Sequence, residues 1–387
     1  MMQQVAQLKF VEFQKFQWKG KIMGDYPPQY YSPRARKYYR KRPSVAGGGG
    51  GASVGSWKEL ARTTLGSASE TLEVTGIADK RYLMYLIDGR AVSSEFQTVL
   101  QTGNSSFDTG NNYSSRASNN GGAESTQTSF SYARLSPSTS LSDLFVVGYI
   151  ANYSTKEKLG QSWSVKRETL GSANVPQRMD HVWKWTNTSN VIERLRINEN
   201  GTGTINTNSE MVVLGYDPAD THTTTDNFWQ ELASVELSSA GDQISSGTIS
   251  AKKYLWVQCW FKNDSASDIT GLMRFNGDVG NNYTSRYSIN GGADITRTSR
   301  TWVDSDGGSQ EARFMNCFIV NNQSNEKLII GHNVASNSSG SANAPNSREW
   351  VSKWTNTTNQ ITKIDLDQFL FELNFQLLKP FYTYQGE

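Results

Sequence analysis

The chain has 387 residues, of which 19% are charged and 11% aromatic, with a formal net charge of +2. Abundant Ser, Thr, Asn and Gly beside few charges fit an all-β protein with many turns, long enough for two or three domains. Three His and two Cys, with no His-x-His, HExxH, CxxC, GxSxG or GxxxxGK[ST], leave no motif for zinc, thiol-redox, serine-hydrolase or phosphate-loop chemistry.

No apolar run reaches the about eighteen residues of a membrane-spanning helix, so no span is expected. The N-terminus has no apolar core followed by a small-residue cleavage site, so no secretory signal is expected. Residues 1–45 hold ten Lys or Arg against Glu12 and Asp25, a balance of +8, which leaves −6 for the rest. A basic arm on an acidic body points to a polyanionic partner for the arm.

Within the arm, residues 1–22 space Phe10, Phe13 and Phe16 at helical intervals next to Trp18. Pro27, Pro28, Pro33 and Pro43 forbid a long helix across residues 25–43. The arm is expected to be extended or disordered. Arg34, Arg36, Lys37, Arg40, Lys41 and Arg42 surround Tyr38 and Tyr39. Guanidinium and ammonium groups neutralise phosphates, and Tyr stacks on unpaired bases, so residues 34–42 are the candidate nucleic-acid contact. A solvated tail or a targeting signal is the plainer alternative. Residues 46–56, with glycines at 47–51, read as a flexible linker.

The body is a duplication. Gly110-Asn-Asn-Tyr-Ser-Ser-Arg-Ala-Ser-Asn-Asn-Gly-Gly-Ala-Glu124 returns as Gly280-Asn-Asn-Tyr-Thr-Ser-Arg-Tyr-Ser-Ile-Asn-Gly-Gly-Ala-Asp294, with eleven of fifteen positions identical. Trp57-Lys-Glu-Leu60 matches Trp229-Gln-Glu-Leu232, Glu157-Lys-Leu159 matches Glu326-Lys-Leu328, and Lys184-Trp-Thr-Asn-Thr188 matches Lys353-Trp-Thr-Asn-Thr357. The offset drifts only from 172 to 169, so the copies, residues 57–217 and 229–387, should share one fold across a spacer at 218–228. Apolar runs of strand length recur between turn signals, such as Tyr82–Ile87, Leu144–Ile150, Met211–Tyr216, Tyr254–Phe261 and Phe314–Val320. The expectation is two tandem homologous β-sandwiches, jelly-roll-like, lying side by side. After Leu366 the second copy loses the turn that precedes the closing strand of the first, which leaves open a rebuilt strand, another role for the tail or a changed reading frame.

In the repeated stretch, Asn-Gly-Gly predicts a tight turn between two short strands, with Tyr113 and Tyr283 inward and Arg116 and Arg286 tying down the loops. A binding loop for glycan or calcium is the sharper alternative, using Asn111, Asn112, Arg116 and Asn120, with Asn281, Asn282, Arg286 and Asn290 in the second copy and the acid at Glu124 or Asp294. The spacing fits no calcium-loop template. Trp57, Trp229, Trp185 and Trp354 are expected to be core anchors, with a stacking platform for sugar as the alternative. Cys259 and Cys317 correspond to Ile87 and Gly148, which makes them free thiols or buried small hydrophobes in expectation, with a disulfide between them as the alternative. The acids matched between copies, Glu59/Glu231, Asp108/Asp278, Glu124/Asp294 and Glu157/Glu326, are the candidates for a hydrolytic carboxylate pair, but turns and ion pairs explain them as well. No enzyme, cofactor or metal is expected.

Two resemblances add to this. Arg274-Phe-Asn-Gly-Asp278 followed by Asn282-Tyr283 resembles a motif of β-sandwich structural proteins of phages and related viruses, of which the first copy keeps Asp108 and Asn112-Tyr113. Tyr30-Tyr-Ser-Pro-Arg-Ala-Arg-Lys-Tyr-Tyr-Arg-Lys-Arg42 is similar to the basic N-terminal arms of capsid proteins of small single-stranded DNA viruses. The resemblances imply a non-enzymatic virion protein, a capsid protein whose paired sandwiches build a homo-oligomeric shell and whose arm meets viral nucleic acid. The alternatives are a phage or virus surface or tail appendage that binds host glycan, and a cellular tandem lectin-like adhesin.

Overall fold

The computed structural model describes residues 53–54, 57–90, 98–136, 143–199, 203–218, 220–222, 226–239, 241–263, 271–304, 312–336, 341–368, 375–376 and 381–386. The candidate nucleic-acid contact at residues 34–42 lies outside them. Residues 51–387 make one compact unit, all-β, with no α-helix among the described residues.

The first copy runs through β1 (Ser53–Val54), β2 (Lys58–Thr64), β3 (Thr71–Thr75), β4 (Tyr82–Gly89), β5 (Thr98–Gly103), β6 (Tyr113–Asn119), β7 (Ser125–Phe130), β8 (Ala133–Arg134), β9 (Leu144–Ala151), β10 (Lys158–Lys166), β11 (Gln177–Trp185), β12 (Arg194–Glu199) and β13 (Glu210–Tyr216), with β14 (Thr221–His222) in the spacer. The second runs through β15 (Gln230–Val235), β16 (Gln243–Ser245), β17 (Tyr254–Asn263), β18 (Gly271–Phe275), β19 (Tyr283–Ile289), β20 (Ile295–Arg300), β21 (Val303–Asp304), β22 (Ala312–Val320), β23 (Lys327–Ala335), β24 (Asn346–Trp354), β25 (Ile364–Gln368), β26 (Phe375–Gln376) and β27 (Phe381–Gly386).

Each copy is a sandwich of a large and a small antiparallel sheet. The large sheet of the first has the order β2-β13-β4-β9-β10-β11-β6-β7 and that of the second β15-β27-β17-β22-β23-β24-β19-β20. The small sheets are β3-β12-β5-β8 and β16-β25-β18-β21. Strand for strand the two orders are the same, as the duplication requires. The tail supplies the closing strand: β27 pairs with β15 and β17 where β13 pairs with β2 and β4. In addition β1 pairs with β14, so the exit of the glycine-rich linker is tied to the spacer.

Strand alternation divides the apolar runs between two cores. Leu83, Tyr85 and Ile87 of β4 face the small sheet, with Leu72, Leu100, Trp185 and Ile197. Met84 and Leu86, the residues between them, face the second copy, together with Phe145, Val147 and Val165. The second copy answers with Phe318, Val320, Leu328, Ile330 and Val351. The sandwiches therefore stack large sheet on large sheet rather than lie side by side. Burial on both faces is why β4 and β9 read as continuous hydrophobic runs.

Polar groups at this joint are paired across it. Arg178, 4% exposed, donates to Asp294 Oδ1 at 2.9 Å and Glu349 Oε2 at 3.1 Å, and also holds Asp180 of its own copy. Lys253 reaches Asp88 at 3.0 Å and Glu210 at 3.3 Å, and the Tyr254 hydroxyl donates to Glu210 at 2.9 Å. The indole of Trp163 meets the ring of His332 edge-on at 4.9 Å.

Candidate functional site

The repeated stretch folds as the predicted hairpin. β6 and β7 in one copy and β19 and β20 in the other flank a turn in which Asn120 (φ 52°), Gly121 (φ 66°), Asn290 (φ 52°) and Gly291 (φ 69°) take left-handed backbone. Gly and Asn accept that conformation at least cost.

The base of each hairpin is a polar knot around one aspartate. Asp108 accepts the Trp185 indole N–H at 2.7 Å, the Asn112 amide at 2.9 Å and the Gly110 N–H at 2.8 Å. Asp278 accepts the Trp354 indole at 2.7 Å, the Asn282 amide at 2.9 Å and the Gly280 N–H at 2.8 Å. Tyr113 and Tyr283 are fully buried beside these knots. The Tyr113 hydroxyl takes the Thr102 N–H and donates to backbone carbonyls, and burial pushes it up to about 12. Against the far face of each Trp lies a buried lysine. Lys158 donates to the carbonyls of Lys156 and Asn187, and Lys327 to those of Asn325 and Asn356. Their ammonium groups sit 5.6 and 5.5 Å from the Trp185 and Trp354 rings. Burial lowers both, Lys327 to about 8. The sequence signal for these lysines is the matched Glu-Lys-Leu, which as letters marks only the repeat.

The eight loop residues do not converge on one ligand position. Asn112 and Asn282 belong to the knots. Asn120 Oδ1 accepts the Arg178 N–H at 3.0 Å, and Asn290 Oδ1 the Ser347 N–H at 2.8 Å. Arg286 reaches the Pro176 carbonyl of the first copy at 2.8 Å. Asn111 and Asn281 are exposed beside the knots, just ahead of β6 and β19. Arg116 pairs with Glu124 at 2.6 Å in the open. The matched acids are similarly engaged: Glu157 with Lys184, Glu326 with Lys353 and Glu59 with Arg62.

Arg116 also borders a groove of about 880 Å³ on the outer face of the large sheet of the first copy. Its floor is Trp57, Tyr82, Tyr149, Leu159, Val182 and Tyr216, with Gln127, Gln161 and Lys184 as polar groups. Trp57 is half-buried here, against Tyr149 and Tyr216 at 6.1 and 5.8 Å, whereas Trp185, Trp229 and Trp354 are buried as expected. The difference has a simple cause: Trp229 lies in the joint, and among the described residues no second sheet covers Trp57. Cys259 and Cys317 are buried free thiols in the core of the second copy, and burial pushes Cys259 up to about 12.

Among the described residues no group of three or more His, Cys, Asp or Glu is placed to hold a metal ion. No family model matches the chain, and no curated protein matches it. Among solved structures the chain is similar to the mouse laminin alpha1 chain, domains LG4-5, at 11% identity over 87% of this chain and 93% of that one, with a TM-score of 0.17. A score that low adds nothing to what the strand order says by itself.

Proposed function

We propose that this is a virion structural protein, a capsid protein whose stacked sandwiches form the shell and whose basic arm holds the packaged nucleic acid. The observation that carries the reading is the division of the chain. Ten of its 38 basic residues lie in residues 1–45, ahead of five consecutive glycines, while the remainder is acidic. The mechanism is neutralisation of phosphate by the arm, with counterion release, beside subunit packing by a rigid β body. The wide sheets support a packing element, because beyond the joint they leave broad faces open, with Leu159, Val182, Phe314 and Val334 exposed on them. The test is electron microscopy of the purified full-length chain with and without single-stranded DNA. Closed particles that appear or gain order with DNA are the expected result, and a protein that stays dispersed under all conditions would remove the reading.

One observation favours a second reading. The groove offers Trp57, Tyr82, Tyr149 and Tyr216 beside Arg116, Gln161 and Lys184, the mixture of aromatic faces and hydrogen-bonding groups with which a sugar is held. A surface appendage or adhesin that binds glycan would use it. Saturable binding on a glycan array, lost in Trp57→Ala, distinguishes this reading from the first.

A further inference from the structure

The two copies bury unlike surfaces in their joint. The first contributes Met84, Leu86, Phe145, Val147 and Val165, and the second Tyr254, Phe318, Leu328, Ile330 and Val351. Strand registers fix the equivalences. Leu159 lies opposite Ala151 as Leu328 lies opposite Val320, and Gln161 opposite Val182 as Ile330 opposite Val351. The counterparts of the second copy's half of the joint are therefore Tyr82, Tyr149, Leu159, Gln161 and Val182, the floor of the groove. Leu159 is 57% and Val182 50% exposed. The counterparts of the first copy's half include Phe314 for Phe145 and Val334 for Val165, left 40% and 42% exposed.

An interface between unlike faces is heterologous. It leaves one unmated face of each kind and can be repeated from molecule to molecule. We propose that the groove of the first copy receives the Phe314–Val334 face of the second copy of another chain, so that the protein assembles head to tail by repeating its own internal joint. The polar rim repeats as well. In the joint, Glu326 accepts the Gly171 N–H at 2.6 Å and Lys353 donates to the Thr169 carbonyl at 2.5 Å. Glu157 and Lys184 offer the same acceptor and donor beside the groove, each 40% exposed. The contact between chains is weaker than the internal one, because Gln258 and Asn316 stand where the first copy has Leu86 and Val147. Association is therefore reversible and depends on concentration. This deepens the shell reading by naming its mating surfaces, and it does not depend on the arm: loss of nucleic-acid binding and loss of assembly are separate results.

The test is sedimentation velocity on the full-length chain and on two variants, Leu159→Glu/Val182→Glu in the groove and Phe314→Glu/Val334→Glu on the opposite face. All four positions are at least 40% exposed, and far-ultraviolet circular dichroism checks that both variants fold. The unaltered chain should associate with rising concentration, and each variant alone should stay monomeric. Their equimolar mixture should give two-chain species and nothing larger, since one intact face meets one intact groove and both remaining ends are blocked. A chain that stays monomeric at all concentrations, variants that assemble like the parent, or a mixture with no two-chain species would each overturn the proposal. So would a monomer in which Leu159→Cys is shielded from maleimide by residues 1–22, or one whose groove binds an oligosaccharide instead.

Discussion

Lys353 and Glu326 are paired at 3.0 Å with 0% and 2% of their side chains exposed, while their counterparts Lys184 and Glu157 keep the same 3.0 Å separation with 40% of each exposed. One repeated ion pair thus occupies two dielectric settings, because the first copy covers only the second copy's pair. Glu326→Gln leaves a buried ammonium without its counter-charge and should cost about 3–5 kcal/mol. Glu157→Gln should cost at most about 1 kcal/mol. Urea denaturation of both variants checks the contrast, and equal losses would mean that the joint does not exclude water from Lys353.

That pair also marks how much of the molecule the sequence carries. The duplication, the strand positions and the Asn-Gly turns were legible, because repeats and positive-φ residues are local signals. The buried tyrosines were legible for the same reason. The stacking of the copies was not. Leu83–Ile87 shows that β4 is covered on both faces, but a run of letters does not say by what. Nor do Glu157 and Glu326, or Trp57 and Trp229, differ as letters; only the neighbouring sheet separates them. The loop asparagines looked like ligands because Asn serves turns, knots and binding sites alike, and only Asp108 and Asp278 with their Trp partners resolve which.

The knots should be stability elements. Asp278→Ala strips the acceptor from the Trp354 indole, the Asn282 amide and the Gly280 N–H together. With buried donors left unpaired, a loss of about 2–4 kcal/mol is expected. Asn281→Ala, at an exposed position beside the knot, should change stability by about 0.5 kcal/mol or less. Thermal denaturation of the two variants distinguishes a structural knot from a ligand loop, in which the order would be reversed for binding and neither would matter for folding.

The two N-terminal tryptophans of the copies should differ in the same sense as the ion pairs. Trp229→Ala opens a cavity in the joint and should cost about 3–5 kcal/mol. Trp57→Ala removes a half-buried ring and should cost about 1–2 kcal/mol. A Trp57→Ala loss as large as that of Trp229→Ala would show that something covers the groove in solution.

His181 is buried, 3.3 Å from the Ser162 hydroxyl, and burial, helped by the charge of Arg134, lowers it to about 3 from its ordinary 6.5. Between those values the unfolded chain binds the proton and the folded chain does not, so stability falls as pH drops below 6.5. The loss at pH 4.5 should be on the order of 2 kcal/mol. Asp180, raised to about 6 by burial and by Glu349 and Asp294 against the pull of Arg178, works the other way between 6 and 3.8. The effect of His181 is therefore read as a difference. His181→Gln should lose less stability than the parent between pH 7 and 4.5, and identical losses would place the imidazole in contact with water.

The last prediction concerns the arm. Its Arg and Lys at residues 34–42 can meet phosphates, and nothing there is shaped to read base edges, so binding should show no sequence preference. With about six phosphates neutralised, log affinity for single strands should fall against log salt with a slope of roughly −4. Deleting residues 1–45 should abolish this binding and leave the strand content of the body unchanged, since the glycine run separates the two and the joint, both cores and every described sheet lie beyond it. A salt titration of both chains against single-stranded DNA and RNA makes the measurement. Equal binding by the two would place the nucleic-acid site on the acidic body, against its charge. Absence of binding by either at about 50 mM salt, where phosphate contacts are strong, would remove the capsid reading and leave the aromatic groove as the functional surface of a glycan-binding appendage.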